Sequence, residues 1–127
     1  MGLQYDKQAT TLTGPHRLLR ALLRRMGFEV EDEVAVGKYR LDCFLRDQWL
    51  GFECDGKRIH AGVTKQKKDT ARDQWIFDNA GIPICRIQSD ALAFPLWDDL
   101  KPQILAFMEQ FEKDTEERKE KGKDLNI

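Results

Sequence analysis

The chain has 127 residues, 41% of them apolar and 34% charged, and its 21 basic and 22 acidic side chains leave a net charge of -1 at pH 7. That length suits one compact domain, the apolar share excludes wholesale disorder, and the charge balance neither demands nor forbids a nucleic-acid partner. No apolar run reaches the roughly 18 residues of a membrane span, and the polar stretch Met1–Thr13 lacks the apolar segment of a signal peptide, so the cytoplasm is the default expectation.

Residues 1–12 read as an N-terminal arm, 13–111 as a single domain and 112–127 as a charged C-terminal helix extension or tail. Thr13-Gly14-Pro15-His16 is a helix start, with Thr13 or Gly14 as the cap and Pro15 in the first turn. Leu18, Leu19, Leu22, Leu23 and Met26 recur at helical spacing as one apolar face, Arg17, Arg20 and Arg24 make another, and Gly27 ends the helix. Phe28 to Val36 reads as a strand or a pair of short strands, and Gly37 turns the chain. Lys38 to Leu45 and Trp49 to Cys54 form a hairpin across Arg46-Asp47-Gln48. Period two places Leu41, Cys43 and Leu45 on one face and Asp42 and Phe44 on the other. In the partner strand Leu50, Phe52 and Cys54 oppose Gly51, Glu53 and Asp55. Antiparallel pairing then brings Asp42 near Glu53, away from the core.

Gly56 to Val63 reads as a loop, Thr64 to Ala80 as a helix ended by Gly81, and Ile82 to Ile87 as a buried strand. After a turn at Ser89–Leu92, Pro95 to Phe111 is an amphipathic helix with Leu100, Ile104, Met108 and Phe111 inward. Beyond Glu112 the apolar stripe stops and nothing in the tail suggests an anchor. The order α-β-β-β-α-β-α predicts an α/β (α+β) fold, a mixed sheet flanked by helices. Cys43, Cys54 and Cys85 each sit in an apolar segment without C-x-x-C spacing, so they read as buried free thiols rather than a disulfide frame or a zinc site. Trp49, Trp75 and Trp97 read as packing residues.

The chemistry lies in Asp42, Glu53-Cys54-Asp55-Gly56 and His60. Carboxylates that alternate with buried apolar residues on neighbouring strands are costly unless they are paired or bind a cation. Hydrolysis of a phosphodiester needs an activated water and neutralised charge at phosphorus, and a divalent ion supplies both. Mg2+ takes one or two carboxylates and keeps several waters, with Mn2+ the other candidate. Asp42 and Glu53 fit as direct ligands with the Cys54 carbonyl as a third oxygen, Asp55 as a holder of metal-bound water or a second ion, and His60 as general base or acid. Lys57, Arg58, Lys65, Lys67 and Lys68 are candidates for phosphate contacts, and a solvated helix start is the other reading of that cluster.

The run Tyr39-Arg-Leu-Asp42-Cys-Phe, then Leu50-Gly-Phe-Glu53-Cys-Asp55-Gly56 and His60, resembles the PD-(D/E)XK nuclease superfamily, and within it the branch of very-short-patch repair endonucleases. Asp69-x-x-Arg72-Asp73 and Gly81-Ile-Pro-Ile-Cys-Arg86-Ile are similar to the helix and strand that follow the active site there, and the likeness spans about residues 13–90. It implies a restriction-endonuclease-like fold and a magnesium-dependent DNA endonuclease with Asp42 and Glu53 as metal ligands and Asp69 and Arg72 beside them. Two positions depart from the family. Asp55 stands where many members have lysine, which leaves Lys57 and His60 as substitutes. His16 stands where related domains often carry a glutamate near the metal, as a changed metal shell or as a helix-start histidine. DNA and a second copy of the chain are the expected partners, with no organic cofactor and no membrane. A nucleic-acid-binding module with a degenerate site is the alternative, and a partner-binding protein using the charged last helix is a third reading.

Overall fold

The structure, a computed structural model, describes residues 12–56 and 62–127, with side chains of the second segment from Lys65 onward. Helix α1, Gly14–Arg25, begins where capping predicts. Thr13 Oγ1 accepts the His16 N–H at 3.2 Å, and Pro15 occupies the first turn, where an N–H would have no helical partner. The helix ends before Gly27, whose φ of +97° favours a residue without Cβ. Leu19, Leu22 and Leu23 are buried together with His16, whereas Leu18 is 37% exposed and lies off the face assigned to it. At about 100° per residue, positions 16, 19, 23 and 26 form the buried stripe and 18 falls beyond its edge.

Strands β1 (Glu31–Val36), β2 (Tyr39–Leu45) and β3 (Leu50–Asp55) form an antiparallel meander. Helix α2, Gly62–Ala80, then crosses over to β4, Ile84–Gln88, which pairs parallel to β3. The result is a mixed four-stranded sheet in the order β1-β2-β3-β4 with helices on both faces. Short turns at Ser89–Leu92 and Phe94–Leu96 lead to α3, Trp97–Phe111, and then α4, Thr115–Gly122. Phe28 and Val30 lie outside the strand predicted from Phe28 onward and pack against the α1 side of the core. Trp49 belongs to the hairpin turn rather than to β3, with φ at +56°.

Two cores result. Leu19, Leu22 and Leu23 of α1 meet Cys43, Leu45, Leu50 and Phe52 of the sheet and Leu100 and Ile104 of α3. On the opposite face Val36, Leu41, Phe44 and Trp49 meet Ile76 and Ala80 of α2 and Ile82. The side of Asp42 and Phe44, expected to lie away from the core, is therefore a second core in which Phe44 is fully buried. Apolar burial on both faces is what holds the sheet rigid around its polar end. The cysteines are free thiols, Cys43 buried and Cys54 and Cys85 half-buried. Trp49 and Trp97 are buried, their indole N–H groups donating to the Ala80 and Leu92 carbonyls at 2.7 and 2.8 Å.

The tail is also anchored, contrary to the sequence reading. Arg118 of α4 is only 4% exposed, and its guanidinium donates to the carbonyls of Trp49 (2.5 Å), Gly81 (3.1 Å), Gln48 (3.2 Å) and Phe111 (2.9 Å). It thereby ties the β2–β3 turn, the end of α2 and the end of α3 to one side chain. Gly81, at φ +71°, permits this approach, since a Cβ there would collide with the Arg118 carbonyl.

Candidate functional site

The alternation of β2 breaks at Asp42. Leu41 packs with Val36 and Phe44 in the second core, while Cys43 packs with Leu45 in the first, although residues two apart in a regular strand share a face. On β1, Asp32 pairs with Cys43 and Val34 with Leu41, so Glu33 stands opposite Asp42, and its backbone is left-handed at φ +56°. On the other side the β2–β3 ladder ends at Cys43 and Phe52. Beyond that pair the two acids take over: the Asp42 N–H donates to Glu53 Oε2 at 2.5 Å, and the Cys54 N–H donates to Asp42 Oδ2 at 3.0 Å. Two side-chain-to-backbone bonds thus take the place of ladder bonds there.

Helix α2 and strand β4 supply the counter-charges, Arg72 and Arg86. Residues 69, 72, 73, 76 and 80 lie along one helical stripe. Its C-terminal half, Ile76 and Ala80, is apolar; in its N-terminal half Arg72 reaches Glu53 of β3, while Asp69 and Asp73 face Arg86 of β4. Arg72 Nη2 lies 2.9 Å from Glu53 Oε1 and also donates to the Arg40 carbonyl, while Nη1 donates to Asp73 at 3.1 Å. Arg86 of β4 donates to Asp55 Oδ1 at 2.8 Å and holds Asp73 with two bonds of 2.7 Å, with Asp69 at 3.8 Å. Burial works against the Arg86 charge, but the Asp73 bonds and the Asp73, Asp55 and Asp69 charges outweigh it and hold its pKa above the usual value.

Glu53 is 8% exposed. Burial, reinforced by the Asp42 charge, pushes its carboxyl up to about 7, despite the Asp42 N–H, Arg72 and Arg86 acting the other way. The unfolded chain releases this proton near the ordinary glutamate value of 4.5. Between that pH and about 7 the folded state binds more protons than the unfolded one, so stability falls as the pH rises through the window. The full loss above pH 7 is about 3 kcal/mol. Thermal melts in EDTA are expected to show wild type losing stability from pH 5 to 8 while Glu53→Gln stays flatter. Parallel curves for the two proteins would contradict the buried proton.

On the α1 side of Asp42, His16 Nε2 lies 2.9 Å from Asp32 Oδ1, and Arg20 Nη1 lies 2.9 Å from Asp32 Oδ2. His16 Nδ1 is 3.9 Å from Glu33 Oε1, and one ligand atom each of His16, Glu33 and Asp42 lie within 4.8 Å of one another. The structure therefore gathers Asp42, Glu53, Asp55, Asp69, Arg72 and His16 at one end of the sheet. Lys65, which pairs with Asp69 at 2.9 Å, and Lys67 and Lys68 are exposed on the first turns of α2. Lys57, Arg58 and His60 lie outside the described residues. Sequence reasoning passed over Asp32 and Glu33. The signal was present, because a two-residue turn at Gly37-Lys38 pairs Val36 with Tyr39 and sets Glu33 opposite Asp42.

The donor set suits a divalent cation. Glu53 is buried beside Asp42 and resists ionisation there, and a divalent charge relieves that conflict.

No protein-family model matches the chain, and no curated protein matches it significantly. Among solved structures it is similar to the catalytic domain of the homing endonuclease I-Bth0305I, at 21% identity and a TM-score of 0.61 over 79% of this chain and 98% of that one. The likeness gives the chain an endonuclease-like fold. No helix among the described residues is long and apolar enough to cross a membrane.

Proposed function

We propose that the chain is a metal-dependent endonuclease that hydrolyses DNA phosphodiester bonds, a member of the PD-(D/E)XK superfamily close to the very-short-patch repair branch. The observation that carries this reading is the interlocked pair of carboxyl groups where the β2–β3 ladder ends: Glu53 accepts the Asp42 N–H, and Asp42 accepts the Cys54 N–H. The likeness in fold to a homing endonuclease catalytic domain supports it.

In this proposal Asp42, Glu53 and the Cys54 carbonyl hold Mg2+, or Mn2+ in its place. The ion, when bound, neutralises phosphate charge and lowers the pKa of a bound water. Arg72 fixes Glu53 in place at 2.9 Å, and Arg86 fixes Asp55 at 2.8 Å, which makes Asp55 a positioning residue at the site's edge. Lys57, Arg58, Lys65, Lys67 and Lys68 contact phosphates along the DNA. His60 takes the proton of the attacking water or returns one to the leaving oxygen, the work of the absent lysine. One site acting alone nicks a single strand, and two copies acting together would cut both.

The test is supercoiled plasmid with Mg2+ or Mn2+, with and without EDTA. Relaxed or linear product that EDTA abolishes is expected. Glu53→Gln is expected to weaken Mn2+ binding by about tenfold or more in calorimetry, and unchanged affinity would remove Glu53 from the ligand set. The second reading, a DNA-binding module with a degenerate site, draws on Asp55 in the lysine position and its clamp by Arg86. DNA retention in a gel shift without cleavage under either metal would favour it.

A further inference from the structure

We propose that His16, Glu33 and Asp42 form a second cation position on the α1 side of Asp42, one that selects a transition ion such as Mn2+ over Mg2+. The idea deepens the nuclease reading and rests on it for its role in cleavage, though its geometry stands apart.

His16 is the central observation. It is 3% exposed, and the helical stripe of α1 aims it at the sheet. Its Nε2 meets Asp32 Oδ1 at 2.9 Å. An ionised carboxylate only accepts, so Nε2 carries the proton and donates. Arg20 holds the other Asp32 oxygen at 2.9 Å, which fixes the carboxylate and with it the ring. Nδ1 is the ring nitrogen that faces Glu33, whose Oε1 lies 3.9 Å away, too long for a hydrogen bond. A buried imidazole whose far nitrogen is locked by a carboxylate and whose near nitrogen faces further carboxylates is the arrangement that orients histidine toward a metal.

Glu33 and Asp42 supply the oxygens, Glu33 through Oε1 on the His16 side, since its Oε2 accepts from Arg40 Nη1 at 3.4 Å. Ligands about 2.1 Å from one ion lie roughly 3–4 Å from one another. The three ligand atoms are within 4.8 Å, and the Glu33 side chain, 42% exposed, can close the difference by a rotamer adjustment. The other grouping, His16, Asp32 and Cys43, is a poorer cation site. Arg20 and His16 already engage Asp32, and burial keeps the Cys43 thiol protonated. A nitrogen ligand with two carboxylates favours Mn2+, Co2+ or Zn2+, whereas Mg2+ favours oxygen alone.

The chain has two histidines, which makes the test specific. Untagged full-length protein is loaded with Mn2+ and examined for nitrogen modulation of the manganese spin echo. Wild type and His60→Gln are expected to show the imidazole signal, and His16→Gln to lose it while still binding Mn2+ through Asp42 and Glu53. Glu33→Gln and Asp32→Asn are expected to weaken Mn2+ binding about tenfold, with Mg2+ affinity within about twofold of wild type. A signal that survives His16→Gln, or manganese bound without any nitrogen signal in wild type, overturns the inference and leaves the oxygen-ligated nuclease site standing. Should His16→Gln fail to fold, undiminished Mn2+ affinity in Glu33→Gln overturns it equally. If wild type binds no Mn2+ at all, the inference and the metal-dependent reading both fall.

Discussion

Asp42→Ala is expected to reduce plasmid nicking by about 10³-fold or more, to the level seen in EDTA. Asp42 stands at the one place where β1, β2 and β3 all turn carboxylates toward the same end of the sheet. The substitution removes the side chain that both proposed cation positions share. The fold should survive it. The Asp42 backbone N–H, which holds Glu53, remains, and the lost acceptor for the Cys54 N–H costs about 1–3 kcal/mol. Relief of the repulsion that helps raise the Glu53 pKa offsets part of this. Single-turnover nicking at saturating Mn2+, read beside the circular dichroism melt, separates the two effects. A folded variant that cuts within tenfold of wild type would take Asp42 out of the machinery.

Arg118→Ala is expected to cause the largest loss of stability, about 3–5 kcal/mol. Domains of this size have only about 5–15 kcal/mol in total. The guanidinium serves carbonyls of Gln48, Trp49, Gly81 and Phe111, and its removal leaves them facing a buried gap. Its plane also lies over the Phe111 ring, 5.5 Å from the centroid, so packing is lost with the hydrogen bonds. Lysine should restore little, because a compact ammonium cannot reach carbonyls spread around a planar fork. Urea denaturation measures the difference. A loss below about 1 kcal/mol would mean that α4 is not what holds the hairpin turn to α2.

These two residues also mark what the sequence disclosed and what it did not. The hairpin pattern and period two brought Asp42 beside Glu53, because both signals are local and a short turn fixes register. The same rule misplaced Leu41 relative to Cys43. The break at Asp42 arises from a side chain of β3 bonding the backbone of β2, and alternation carries no trace of that. Phe44 shared its predicted face with Asp42, away from the core, and a second core appears there only once α2 covers that face. Arg118 sat in a Glu/Lys-rich run that reads as solvated, and its acceptors are scattered from residue 48 to 111. The His16–Asp32–Arg20 chain joins a helix start to a strand in the same way. The α2 stripe was half legible: the resemblance set Arg72 beside the strand acids, Glu53 or Asp55, and the crossover assigns Arg72 to Glu53 and Arg86 to Asp55.

The central claim, that Asp42 and Glu53 jointly hold a divalent ion, is tested most directly by anomalous diffraction from crystals equilibrated with MnCl2. A manganese peak about 2.0–2.5 Å from an oxygen of each carboxylate is the predicted result. Manganese that binds elsewhere, or that touches neither Glu53 oxygen while the dissolved protein cuts DNA in the same buffer, would contradict it.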